Sequence, residues 1–216
     1  MRKRPFVSGE HYHIFNRGVE KRTIFSCDAD YVRFLRSMKE FNQEDPVFSI
    51  YRLDQERRKP IVEIRSLRKD KLVNIIAYCL NPNHFHFILK QSKEGGVSEF
   101  MKRIGIGYTG YFNYRYKRSG VLFQGKFKSV HIDSNPYLLY LSAYVNRNYF
   151  IHGYGDDFKW SYSSLLEYTG KRSKGICDTS IILDQFKEKN EYKEFIQENA
   201  LYMKDKKETE KYLIES

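Results

Sequence analysis

Polar and apolar residues alternate over residues 9–16, with Tyr12 and Ile14 on one face and His13 and Phe15 on the other, which predicts a strand. Asn16-Arg17-Gly18 then reads as a turn or bulge. Asp28 suits a helix cap, and behind it Tyr31, Phe34, Leu35, Met38 and Phe41 recur at helical spacing. Pro46 follows, and residues 47–53 alternate again as a second strand. Residues 54–71 are charged and read as a hairpin or an exposed loop. Residues 72–80 and 84–90 are rich in β-branched and aromatic residues and flank the turn signal Asn81-Pro82-Asn83, which predicts two further strands. Gly95-Gly96 and a capping Ser98 open a helix to about Arg118, with Gly120 as its stop. Short strand-like pieces occupy residues 121–133, and Asn135-Pro136 opens a helix to about Tyr149. Beyond Trp160 the chain reads as an appendage. It holds a helix over 190–203 with Tyr192, Phe195, Ile196, Asn199 and Met203 on one side, and ten charged last residues expected to fray. The order β-α-β-β-β-α-(β)-α predicts an α+β fold, a ferredoxin-like antiparallel sheet with packed helices. One domain over residues 1–155 and a C-terminal helical extension over 156–216 are expected.

Composition narrows the partners. With 38 Lys+Arg against 27 Asp+Glu the 216-residue chain carries +11 and a pI near 9.4. That balance points to a polyanion, nucleic acid or a membrane surface. No run approaches the ~18 apolar residues of a membrane span. The basic start Met1-Arg2-Lys3-Arg4-Pro5 has no apolar stretch behind it, so no signal peptide is expected. Cys27, Cys79 and Cys177 are odd in number and far apart, neither a disulfide framework nor a CxxC metal site. A reducing cytoplasm, with association to the nucleoid when DNA is bound, is the expected compartment.

Three groups of residues could carry chemistry. His84 and His86 stand two apart on a strand and so project to the same side. They suit two ligands of one divalent cation, or are simply two solvated histidines. On the helix after Pro136, Leu138, Leu141 and Val145 form a core stripe. Tyr137, Tyr140, Tyr144 and Asn148 form the neighbouring one, so Tyr144 and Asn148 meet one turn apart. A tyrosine oxygen beside a metal-held phosphate is a nucleophile, and the asparagine carbonyl can be a third ligand. The bland reading is packing in a chain with 18 tyrosines. Third, residues 101–130 hold Lys102, Arg103, Arg115, Lys117, Arg118, Lys126 and Lys128 and no Asp or Glu, with seven Tyr and Phe interleaved. Cations track phosphates and rings stack on unpaired bases, although a solvated basic face would look the same. Gly105, Gly107 and Gly110 inside the helix suggest close approach of another backbone or a broken helix.

Taken together, four ordered motifs resemble the single-tyrosine HUH transposases, and within them the REP-associated tyrosine transposases. They are Tyr12-His13-Ile14-Phe15-Asn16-Arg17-Gly18 with Ile24-Phe25; Ala77 to His86, ending Asn81-Pro82-Asn83-His84-Phe85-His86; Gly120 to Ser129; and Tyr144-Val145-Asn146-Arg147-Asn148. The resemblance spans about residues 9–170, with Trp160 to Ser164 and Tyr168 similar to the family's extension.

The resemblance implies an HUH endonuclease fold and a metal-dependent nuclease and strand-transferase on single-stranded, hairpin-containing DNA. By it, His84, His86 and Asn148 hold Mg²⁺ or Mn²⁺. Tyr144 attacks phosphorus to give a 5′-phosphotyrosine and a free 3′-hydroxyl. Tyr140, one turn earlier, is the rival nucleophile. Lys102, Arg103, Arg115, Lys117, Arg118, Lys126 and Lys128 would bind DNA backbone, and Gln124 or Lys126 would read a base edge. A monomer or homodimer, with no membrane partner, is expected. Two positions depart from the family pattern. Tyr149 stands where the family usually has Pro, and Asn81 where it favours Met. The alternative is a non-catalytic single-stranded nucleic-acid-binding protein.

Overall fold

The computed structural model describes residues 5–45, 49–51, 53, 70–155, 158–173 and 175–215. Strand β1 (His11–Arg17), helix α1 (Asp28–Glu40), strands β2 (Val73–Asn81) and β3 (His84–Gln91), helix α2 (Gly96–Arg115) and strand β4 (Lys128–Ile132) make a βαββαβ unit. The sheet order is β2-β3-β1-β4 and every neighbouring pair is antiparallel. That is the ferredoxin-like arrangement.

Alternation along the strands sorts side chains onto two cores. Tyr12, Ile14, Ile75, Tyr78, Leu80, Phe85, Phe87 and Leu89 face one side, where Phe34 and Met38 of α1 and Phe100, Ile104 and Tyr108 of α2 bury them. On α2, only Gly107 of the three glycines marks a close approach: a Cβ there would lie 2.6 Å from the Phe41 ring, while Gly105 and Gly110 face open space. The helix needs that glycine to seat against the end of α1.

The opposite face is covered by the rest of the chain. Helices α3 (Asn135–Asn146), α4 (Asn148–Ile151), α5 (Leu165–Tyr168), α6 (Ser180–Leu183) and α7 (Lys189–Glu215) follow β4. Leu138, Leu141 and Val145 of α3 pack there with Ile76, Ala77 and Ile88 of the sheet and with Tyr192, Ile196, Ala200 and Met203 of α7. Residues near Ser163 also run beside β2: Leu80 N–H reaches Tyr162 C=O at 2.9 Å and Ser164 N–H reaches Tyr78 C=O at 2.9 Å. The C-terminal residues therefore complete the second core.

Four local expectations change. Ile50, Tyr51 and Leu53, read as strand, are helical, and Leu53 N–H bonds Ser49 C=O at 3.1 Å. A short apolar run fits either period, and here the bond from Leu53 N–H back to Ser49 C=O closes a helical turn that buries Ile50. The remainder of that segment, and residues 54–69 of the loop or hairpin expected over 54–71, lie outside the described residues. Helix α2 starts at Gly96 behind a left-handed Gly95 (φ 69°), not at Ser98, and stops at Arg115. The helix expected to run to Tyr149 breaks at Arg147 (φ −109°, ψ 13°). At the chain end, α7 stays helical to Glu215 where fraying was expected, because Lys and Glu are good helix formers.

Candidate active site

The second core is not purely apolar. Beneath α3 and α4 the sheet presents His13 from β1 and His84 and His86 from β3, all on one face by alternation. His13 Nε2 and His86 Nδ1 lie 2.8 Å apart, buried, so one of them donates to the other. With His13 as acceptor, His86 Nε2 presents a lone pair.

For His84 the neighbours fix the tautomer. Asn83 turns its amide nitrogen to Lys21 C=O at 3.3 Å, so its oxygen faces the ring and His84 Nδ1–H donates to it at 2.6 Å. His84 Nε2 is then a lone pair, and Asn81 Nδ2–H donates to it at 2.9 Å. The same Asn81 nitrogen donates to Asn148 Oδ1 at 2.6 Å. Burial lowers the pKa of His84 and of His13 to about 4, and holds His86 well below the usual imidazole value. All three rings are neutral at pH 7, the form that ligates metals.

Tyr144 comes from α3. Its ring stands edge-on to His86 at 5.4 Å and to His13 at 6.1 Å between centroids. Tyr140 is 38% exposed and its ring meets none of these histidines. Burial raises the Tyr144 pKa, and the Asn148 side chain beside it pulls the other way.

The break at Arg147 is what turns Asn148 toward His84. It is held without proline. The Arg147 guanidinium lies 4.4 Å from the Phe150 ring centre and 4.1 Å from that of Phe158, and donates to Tyr149 Oη at 2.6 Å. Tyr149 stacks on Trp160, 5.6 Å between centroids and 12° between planes. Asn146 is fixed by Ser164 Oγ–H at 2.6 Å and by donating to Tyr192 Oη at 2.8 Å.

Among the described residues no three His, Cys, Asp or Glu gather as a metal site, so any metal set here includes an amide. His84 Nε2 and Asn148 Oδ1 are 3.1 Å apart. That separation is close to the edge of an octahedron with bonds of about 2.1 Å, the small divalent cation's geometry. Asn148 Nδ2 is buried with no hydrogen-bond partner among the described residues, an unusual arrangement for a native amide. The side chain is placed for its oxygen. The residues present fit a divalent cation.

Residues 52–148 match the family model described as Transposase IS200 like, a span that ends on Asn148 and includes both histidines and Tyr144. Over this segment the chain is similar to the IS200-like transposases. A solved structure described as a REP-associated tyrosine transposase bound to a REP hairpin matches 84% of this chain and 95% of that one, with a TM-score of 0.51 and 14% identity. The fold is shared. No curated protein matches the chain in sequence. No described helix of the chain is long and apolar enough to cross a membrane.

The basic run over residues 101–130 divides in two. A cleft of 1320 Å³ opens between α2 and the approach to β4, with Phe15, Phe123 and Phe127 in its walls and Lys102, Lys126 and Lys128 among its lining. Phe15 also stacks on His86 at 5.5 Å, so this cleft begins one ring from the histidines. Gln124 and Lys117 are exposed nearby, with Gln124 accepting from Arg17 Nε. The arginines are committed elsewhere. Arg103 bonds Glu99 at 2.8 Å and Gln43 C=O at 2.6 Å, tying down the turn after α1. Arg115 lies 3.6 Å from Asp30, and Arg118 bonds Asn113 and, at 2.9 Å, Val121 C=O.

Sequence reasoning names His84, His86, Tyr144 and Asn148, and the structure brings these together. It misses Asn81 and His13 as site residues, and His152. The His152 ring packs on His84 at 4.7 Å and accepts from Lys207 Nζ of α7 at 2.8 Å. The alternation of β1 could have found His13, because it lies on the strand face opposite Tyr12 and Ile14. Nothing local points to His152.

Proposed function

We propose that the chain is a metal-dependent transposase that nicks and rejoins single-stranded DNA through a 5′-phosphotyrosine on Tyr144, with hairpin-bearing DNA as its substrate. The observation that carries this reading is the meeting of the Tyr144 ring with His86 and His13, beside the His84–Asn148 pair. The hairpin bound by the REP-associated relative with the same fold supports the substrate.

His84 Nε2, His86 Nε2 and Asn148 Oδ1 would hold Mg²⁺ or Mn²⁺. Bound there, the cation polarises a phosphate oxygen and offsets the charge built up at phosphorus. His13 orients His86 by accepting its Nδ1 proton, and Asn83 does the same for His84. Tyr144 Oη forms a bond to phosphorus as the bond from phosphorus to the 3′-oxygen breaks. The phenol loses its proton and the departing oxygen gains one. The new link is itself a phosphodiester, so a 3′-hydroxyl can reverse the step and rejoin DNA without a nucleotide cofactor. The Lys102, Lys126 and Lys128 side of the cleft binds backbone phosphates, while Phe123 and Phe127 stack on unpaired bases.

A covalent-capture assay tests this. The protein is mixed with labelled hairpin oligonucleotides and Mn²⁺ and run on a denaturing gel. The expected protein–DNA band disappears with Tyr144→Phe, with His84→Ala and with EDTA, and persists with Tyr140→Phe. Binding of the same oligonucleotides that survives EDTA, with no band from any of them, would establish a non-catalytic binding protein instead.

A further inference from the structure

Asn81 is fully buried, stands at a position where the sequence departs from its family pattern, and is spent on the very atoms that would ligate the cation. An imidazole nitrogen has one lone pair. His84 Nε2 already gives its own to Asn81 Nδ2–H, so a cation can reach that nitrogen only if the amide turns away. Asn148 Oδ1 has two lone pairs and can keep one partner while taking another.

The other end of the amide shows where it can turn. Asn81 Oδ1 accepts from Cys79 Sγ–H at 3.6 Å. A thiol is both a weak donor and a weak acceptor. Half a turn about Cβ–Cγ would exchange the amide's two ends: Nδ2–H then donates to Cys79 Sγ, and Oδ1 faces His84 Nε2 and Asn148 Oδ1. Burial pushes the Cys79 thiol up, so it keeps its proton at neutral pH and can serve in either role. In that second orientation three electron-rich atoms converge, which is unfavourable without a cation and favourable with one.

We infer that Asn81 is a two-position amide at the metal site: it ties His84 and Asn148 together through Nδ2–H when the site is empty, and it turns to add Oδ1 as a further metal ligand when a cation enters. This rests on the reading of His84 and Asn148 as metal ligands. Without the amide, the site would lose one oxygen ligand and the link that sets the 3.1 Å separation of the other two.

The test is a Mn²⁺ titration of the full chain without DNA, reading free Mn²⁺ by electron paramagnetic resonance, with a thermal melt of each metal-free variant beside it. Asn81→Leu is expected to weaken Mn²⁺ binding at least about tenfold, the usual cost of disturbing such a partner. Asn81→Asp, which keeps the oxygen and loses the N–H donors, is expected to melt lower than wild type without metal and to bind Mn²⁺ more tightly. His84→Ala should bind none at this site. Asn81→Leu binding as well as wild type or better would overturn the inference, because the amide would then be a bystander or a plug. If Asn81→Leu does not fold, Asn81→Asp binding more weakly than wild type overturns it equally. Failure of the wild-type chain to bind Mn²⁺ would overturn the metal reading itself, and the inference with it.

Discussion

Asp30 and Asn148 are both fully buried polar side chains, one on each side of the sheet, and they are treated in opposite ways. Asp30 is saturated. Its oxygens accept from Tyr111 Oη at 3.0 Å, Tyr116 Oη at 2.7 Å and Ser26 N–H at 2.8 Å, with Arg115 at 3.6 Å. Asn148 has two neighbours crowded on its oxygen, while its nitrogen, with the Tyr144 ring nearby, has no hydrogen-bond partner among the described residues. A buried group with every partner in place holds a structure together. One with a surplus on one side and a deficit on the other is shaped for something that arrives later. The difference separates a structural polar cluster from the one proposed to be reactive.

The contrast can be broken most directly by deleting each side chain. Asp30→Ala should cost about 3 kcal/mol of stability in a denaturant titration, because several charge-assisted bonds go at once, and should leave Mn²⁺ binding intact. Asn148→Ala should cost only about 1 kcal/mol and abolish both Mn²⁺ binding and the covalent DNA band. Equal destabilisation by the two would make Asn148 a structural residue like Asp30.

Acid sharpens the same contrast. His13 and His84 sit near a pKa of about 4 and His152 near about 3, all below the ordinary 6.5 because burial disfavours the cation. The unfolded chain therefore binds protons first as pH falls. Stability should be full above about 6.5, decline through pH 6 to 4, and level off once the folded rings protonate. Melting temperatures across that window check it, and a flat profile would mean these rings are hydrated.

The smallest effects belong to the basic residues. Replacing Lys126 and Lys128 with Ala should leave the melting temperature alone and lower the salt dependence of single-strand binding, by roughly 0.7 in log–log slope for each phosphate no longer neutralised. Arg103→Ala should do the reverse, reducing stability through the loosened turn after α1 while leaving the slope unchanged. Filter binding at several salt concentrations separates the two.

Those arginines show where sequence reading stops. The α+β ferredoxin-like class is legible, with one strand too many over 47–53, since β1 alternates and Phe85, Phe87 and Leu89 announce their core face. So are His84 and His86, because strand spacing alone puts them together. The match around Asn148 favours Tyr144 over Tyr140, and the ring contacts with His86 and His13 agree with that choice. What cannot be read is anything set by partners distant in the chain. Arg103 looks like Lys102 in sequence, yet it is consumed by Gln43 and Glu99. The proline missing after Asn148 looks like a threat to the helix end, but Tyr149, Trp160 and Phe158 secure the break through stacking and cation–π packing. Ile50 looks like a strand residue, yet it lies in a helical turn closed by Leu53 N–H and Ser49 C=O.

The covering of α3 by the far end of the chain has a consequence for biosynthesis. Asn146 finds its partners in Ser164 and Tyr192, and Tyr192, Ile196 and Met203 close the apolar side of the helix that carries Tyr144. All of these are synthesised after Asn148. A nascent chain thus emerges from the ribosome with its Tyr144 helix still uncovered, and the second core that holds this helix closes only near the end of translation. On the proposed function, a DNA-cutting site completed last would be withheld from the partly made polypeptide, with no inhibitor required.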